Sequence, residues 1–193
     1  PLELLNRKEY NHARRDFLGW LRERDPSKVG RAGRAQGLVK LGYLKRLAAR
    51  LKLPSVCEWV DNFLVNSDEK IILFCIHRDV VRQLHSRYAT KSVVVDGSVT
   101  GRDRKLAVDQ FLGSKKTRIL VGNLQAAGVG WSAKGVSTVA FVEMAWQPGL
   151  HVQGEDRVHG LGRGREGRYS EAIYLVARDT IEEKLCRIIE RKA

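Results

Sequence analysis

The chain has 193 residues, 43% of them hydrophobic, which is enough for one good core and too few for two domains of ordinary size. Its net charge of +13 is uneven: residues 1–52 hold 14 Lys and Arg against 5 Asp and Glu, while residues 53–193 hold 21 against 17. No apolar run approaches the ~20 residues of a membrane span, and no signal peptide is visible.

The basic front suits a polyanionic partner and equally a charged, solvated surface; composition does not separate the two. Cys57, Cys75 and Cys186 lie far apart with no C-x-x-C pair. This argues against a zinc site or a disulfide framework and for three small buried hydrophobes in a reducing, intracellular setting. That setting is the cytoplasm of a prokaryote or virus-infected cell, or a nucleus. A first residue of Pro1 in place of Met is read as the start of a piece of something longer.

In chain order, apolar residues at helical spacing predict an amphipathic helix over 3–24, with Leu4, Leu5, Phe17, Leu18, Trp20 and Leu21, and another over 35–51. The Gly- and Arg-rich stretch Asp25–Arg34 reads as a loop between them. A third helix is expected from Pro54, with proline in its first turn, to Asn66. From Lys70 onward short apolar runs alternate with amphipathic stretches. Strands are expected at Ile71–Ile76, Ser92–Val95, Arg118–Val121, Thr138–Val142 and Ala172–Val176. Helices are expected near Val80–Tyr88, Gly101–Leu112, Asn123–Gly128, Leu150–Leu161 and Thr180–Arg191. Runs such as Ile71–Ile76 are apolar along their whole length, as in a parallel sheet covered on both faces, so the fold expected is an α/β three-layer sandwich. Residues 1–66 are expected to form a basic helical appendage and residues 67–193 the sheet-bearing lobe.

Ligands of such sheets bind at the carboxyl ends of the strands. The exits carry Phe74-Cys75-Ile76-His77-Arg78, then Val95-Asp96-Gly97-Ser98-Val99 with Arg104 beyond it, then Gln110-Phe111. Val121-Gly122-Asn123 leads into Gly128-Val129-Gly130, and Trp146-Gln147-Pro148-Gly149 leads into Gln153-Gly154-Glu155-Asp156-Arg157-Val158-His159. On a helix Gln153 and Arg157, four residues apart, share a face. In this order and spacing the motifs resemble the second RecA-like lobe of superfamily-two helicases. The last segment is similar to the Swi/Snf type of DNA-dependent ATPase, most of all its annealing-helicase branch. The likeness covers about residues 70–191.

The resemblance implies roles that these residue types can fill. Arg157 resembles the arginine finger that reaches the γ-phosphate of ATP, with Gln153 beside it; a guanidinium stays charged and matches phosphate oxygens with a planar fork of donors. Gly128 and Gly130 would let the backbone approach nucleotide and DNA closely. His77, Arg78, Gly97, Ser98 and Asn123 would hold the phosphates of one DNA strand. ATP and Mg²⁺ would be anchored mainly by an N-terminal ATPase lobe outside this chain, which has no G-x-x-x-x-G-K-[ST] loop; no metal site is expected here. The partners implied are double-stranded DNA and that lobe.

Where the family has His-Arg-Ile-Gly-Gln, this chain has His159-Gly160-Leu161-Gly162-Arg163, so one arginine is missing. Arg163 is the expected replacement and is counted with Arg157 and Gln153 as catalytic. The run Gly162-Arg163-Gly164-Arg165-Glu166-Gly167 also matches G-x-G-x-x-G, but it follows a predicted helix and precedes a strand, the reverse of a dinucleotide fingerprint. The function expected is the second motor lobe of an ATP-dependent double-stranded-DNA translocase. The alternative is a non-catalytic DNA-binding scaffold descended from such a motor, in which Gly160 marks the decay.

Overall fold

The computed structural model describes residues 1–30, 36–126, 133, 135–158 and 170–190. Among them five short strands, β1 (Ile71–Cys75), β2 (Ser92–Val95), β3 (Ile119–Asn123), β4 (Thr138–Phe141) and β5 (Glu171–Tyr174), form one parallel sheet in the order β2-β3-β1-β4-β5. The central strand β1 is buried at every residue and pairs on both edges, Ile71 opposite Ile119 and Thr138, Phe74 opposite Gly122 and Phe141. Such a strand must be apolar throughout, because successive side chains point to opposite, equally covered faces.

The two faces divide by parity. Ile72, Phe74, Leu120, Val139 and Phe141 pack on α5 (Gly101–Gly113) through Val108 and Phe111, and on α7 (Ile181–Glu190) through Leu185 and Ile189. Ile71, Leu73, Cys75, Val121 and Ala140 face α4 (Arg78–Arg87) and the second half of α3 (Gln36–Asn66), whose Leu53, Val56 and Val60 close that side. Helices cover both faces, so the three-layer α/β sandwich expected from the sequence is the architecture observed.

A third apolar cluster joins α1 (Arg7–Arg15), α2 (Phe17–Arg24) and the first half of α3 around Tyr10, Phe17, Trp20, Leu21, Leu44 and Leu51. The single helix expected over 3–24 is two. Asp16 ends α1, its N–H reaching His12 O at 2.9 Å, and starts α2, its carboxylate accepting from Gly19 N at 3.0 Å. An Asp side chain that caps the next helix competes with the helix it interrupts. The two helices expected on either side of Pro54 are instead one, α3, with Pro54 inside it. Proline there leaves the carbonyl of Arg50 without its helical donor, yet Leu51, Lys52, Leu53 and Val56 are all buried, and that packing holds the helix through the proline.

Three further boundaries differ from expectation. Asn123 ends β3 and residues 124–126 form a turn, so no helix starts there among the described residues. The helix expected from Leu150 is α6 (Pro148–Glu155), which begins at its proline and gives way to a turn over 156–158. Its continuation to Leu161, like Arg31–Arg34 of the N-terminal loop and Arg191 of the last helix, lies outside the described residues.

Buried polar contacts tie α3 to the far end of the chain. Lys52, fully buried, donates to Glu182 Oε1 at 2.7 Å, Glu182 Oε2 at 2.6 Å and Leu175 O at 2.6 Å, and Ala177 N donates to the same carboxylate at 3.0 Å. Tyr10 Oη accepts from Ile181 N at 2.8 Å, and Leu2 bridges to Ala177 in parallel fashion. The cysteines are free: Cys75 is buried and Cys57 and Cys186 are half-buried, with burial raising all three thiols, that of Cys186 to about 11.

Candidate nucleotide and nucleic-acid edge

His77, Arg78, Gly97, Ser98 and Asn123 emerge at the carboxyl edge of the sheet, and the exits of β1 and β4 are locked together there. Glu143, two residues past β4 and 2% exposed, accepts from Ile76 N at 2.8 Å and His77 N at 2.9 Å through one oxygen, and meets His77 Nδ1 at 2.5 Å through the other. A buried carboxylate satisfied by two backbone donors and a ring nitrogen is a firm anchor. It fixes His77, which precedes the first residue of α4, and leaves Arg78 exposed at the start of that helix.

Asn123 uses its side chain within the fold. Its Nδ2 donates to Ile76 O at 2.6 Å, and its Oδ1 accepts from Gln125 N at 3.1 Å and Ala126 N at 3.4 Å. Beside it the exit of β2 makes a tight turn in which Asp96 Oδ1 accepts from Ser98 N at 2.8 Å and Ser98 Oγ at 2.5 Å. These bonds hold the Asp96 carboxyl below its usual range. Gly97 and Ser98 are exposed at the tip of the turn, and a Cβ on Gly97 would touch only Ala126 Cβ, at 3.9 Å. The exits of β2, β3 and β1 are therefore neighbours, with His77, Arg78, Gly97, Ser98 and Asn123 distributed along them.

The β4 exit turns through Trp146 and Gln147 into α6. Gly154 seats this helix on the sheet: a Cβ there would lie 2.9 Å from Phe141 and 3.1 Å from Phe74, so a larger residue would have to push aromatic rings out of the core. Gln153, on the outer side, is exposed. Arg157 stands two residues beyond the helix, not on its face, with its Nε donating to Gln153 O at 3.1 Å and its own carbonyl accepting from Ala133 N at 3.1 Å. Ala133 is the first described residue after the segment carrying Gly128 and Gly130. Those two glycines, His159, Gly160 and Arg163 lie outside the described residues.

The motifs did not reveal Glu143, which the sequence offers as one acid after an apolar run, or Lys45 of α3. Lys45 is 8% exposed, and its ammonium sits 5.3 Å from the centroid of the Trp146 ring. Nor did they reveal His151 of α6, fully buried, which accepts Ala145 N–H at Nε2 at 3.0 Å. Among the described residues no group of three or more His, Cys, Asp or Glu is placed to hold a metal, and no helix is long and apolar enough to cross a membrane.

The family model described as "Helicase conserved C-terminal domain" matches residues 52–162. The chain is 31% identical over 147 residues to "SWI/SNF-related matrix-associated actin-dependent regulator of chromatin subfamily A-like protein 1" of Xenopus tropicalis, a match over 75% of this chain and 15% of that protein. It is 29% identical over 159 residues to "DNA annealing helicase and endonuclease ZRANB3" of Homo sapiens, over 79% of this chain and 14% of that protein. The chain thus spans about 15% of the length of these curated relatives. Their names bear out the Swi/Snf and annealing-helicase likeness read from the motifs. Among solved structures the C-terminal part of the Fun30 ATPase domain shares the fold, with a TM-score of 0.63 and 24% identity over 72% of this chain and 45% of that one.

Proposed function

Since the chain belongs to the helicase conserved C-terminal domain family and has Swi/Snf-type relatives, we propose that it is the second motor lobe of an ATP-dependent translocase on double-stranded DNA. In this reading residues 67–193 are the lobe and residues 1–66 its basic helical appendage. An N-terminal lobe elsewhere in the protein anchors the nucleotide, so the isolated chain hydrolyses none. ATP bound with Mg²⁺ would supply the phosphoryl group and the metal charge, and Arg157 is the residue of this chain that would meet it.

The observation that carries the reading is the placement of Arg157. Its Nε is held by the carbonyl of Gln153 and its own carbonyl by the amide of Ala133, beyond the end of α6 and beside the segments that lead into β4 and β5. A guanidinium fixed in this way can stabilise charge on a transferring phosphoryl group when the two lobes close. Gly128, Gly130 and Arg163 belong to the same nucleotide side in this proposal. Along the β1, β2 and β3 exits His77, Arg78, Gly97 and Ser98 meet one DNA strand, whereas Asn123 shapes the turn beside them. Such a protein works where DNA is, inside the cell.

In the intact protein Arg157→Ala leaves nucleotide binding largely in place and lowers DNA-stimulated turnover by ~10³-fold or more, the range for removing an arginine finger. Steady-state ATPase assays with duplex DNA check it, and turnover within a few-fold of the parent assigns Arg157 to the fold instead. Stimulation by duplex RNA equal to that by DNA would overturn the choice of substrate.

A further inference from the structure

Two lysines on α3, two helical turns apart, are buried in opposite circumstances. Lys52 is surrounded by acceptors, the Glu182 carboxylate and Leu175 O. Lys45, 8% exposed, has none: among the described residues no hydrogen-bond acceptor and no carboxylate oxygen within 4.0 Å meets its ammonium. Burial lowers its pKa, and Glu143 and Glu182 oppose that only from a distance. What the ammonium has is the face of Trp146, 5.3 Å away, on a ring that is itself 43% exposed.

A charge largely withdrawn from water, with an aromatic face and no protein acceptor beside it, gains when an anion from outside the chain approaches. No protein acceptor among the described residues takes its three N–H donors. The ammonium is not one of the fully enclosed, unbonded side-chain atoms, so these donors reach the surface. They do so beside Trp146, three residues beyond the Glu143 that anchors His77 and two residues ahead of α6. We propose that Lys45, held on the face of Trp146, binds one phosphate group at the carboxyl edge of the sheet. A compact ammonium suits phosphate as a point charge, and no function is otherwise assigned to it. The inference deepens the reading of this edge as facing nucleic acid and nucleotide, and both ligands carry the group.

The test follows the ¹⁵N-labelled indole N–H of Trp146, assigned with Trp146→Phe, while the chain is titrated with inorganic phosphate. The parent and Lys45→Arg show a saturable shift, and Lys45→Met loses it while melting no lower than the parent, since an unpaired buried charge has been replaced by an apolar stem. Lys45→Gln serves the same purpose should Lys45→Met fail to fold. A parent indole that phosphate does not move, or one that moves equally in the neutral variants, overturns the proposal. Repeating the titration with a short DNA duplex and with ATP identifies the source. If DNA alone moves the indole, Lys45→Met also lowers the slope of log affinity against log salt by about 0.9, the share of one phosphate; if ATP alone does, that slope is unchanged. The phosphate titration needs neither DNA nor turnover, so it stands or falls separately from the motor reading, which Arg157→Ala decides.

Discussion

A histidine enclosed in a core keeps its proton on one ring nitrogen. In His151 Nε2 faces Ala145, 3.0 Å from its amide nitrogen and 3.4 Å from its carbonyl oxygen, while Nδ1 has no partner among the described residues. The ring lies against Phe141 at 4.8 Å and Tyr174 at 5.5 Å, and burial lowers its pKa below the usual 6.5. The folded state therefore resists protonation that the unfolded chain accepts. Stability from this residue is present above about pH 6.5 and is lost as pH falls through that value. Urea unfolding at about pH 7, 6 and 5 should show a loss of stability that His151→Leu reduces; parallel losses in the two proteins would mean that other groups set the acid limit. No periodicity or spacing signals this residue, because an isolated histidine in Leu150-His151-Val152 reads the same whether enclosed or solvated.

The elements differ in how plainly the sequence announces them. β1 and β4 are legible because both of their faces are covered, which demands an unbroken apolar run. α3 is not, because proline normally marks a helix start and here sits in the middle of a helix of 31 residues, kept there by contacts with residues far along the chain. The same limit applies to the site: His77 and Arg157 follow from local motifs, whereas Glu143, Lys45 and Glu182 act through partners 66, 101 and 130 positions away. The Lys52–Glu182 pair tests how far α3 depends on such a partner. Lys52→Met alone should cost about 3–5 kcal/mol by leaving a buried carboxylate unpaired, and Glu182→Leu in the same chain should recover most of it. A double-mutant cycle by denaturant unfolding measures the coupling; additive losses would show that the ion pair contributes little beyond packing.

For the molecule as a whole, charge is separated along the chain, with most of the excess in its first 52 residues, on the helices that pack beside the sheet. Under the proposed function, duplex DNA should bind without sequence preference. Gel-shift titrations should give a slope of log affinity against log salt steeper than about −3, the value for three to four neutralised phosphates. A flat response would remove the electrostatic account. The long helix α3 gives this arrangement a mechanical sense. At 1.5 Å per residue its 31 residues span about 46 Å, and its first half belongs to the cluster with α1 and α2 while its second half is a wall of the sheet. It acts as a strut: a pull on the basic helices reaches the sheet through one continuous helix, and the burial of Leu51, Leu53 and Val56 around Pro54 braces the point where that helix lacks a hydrogen bond.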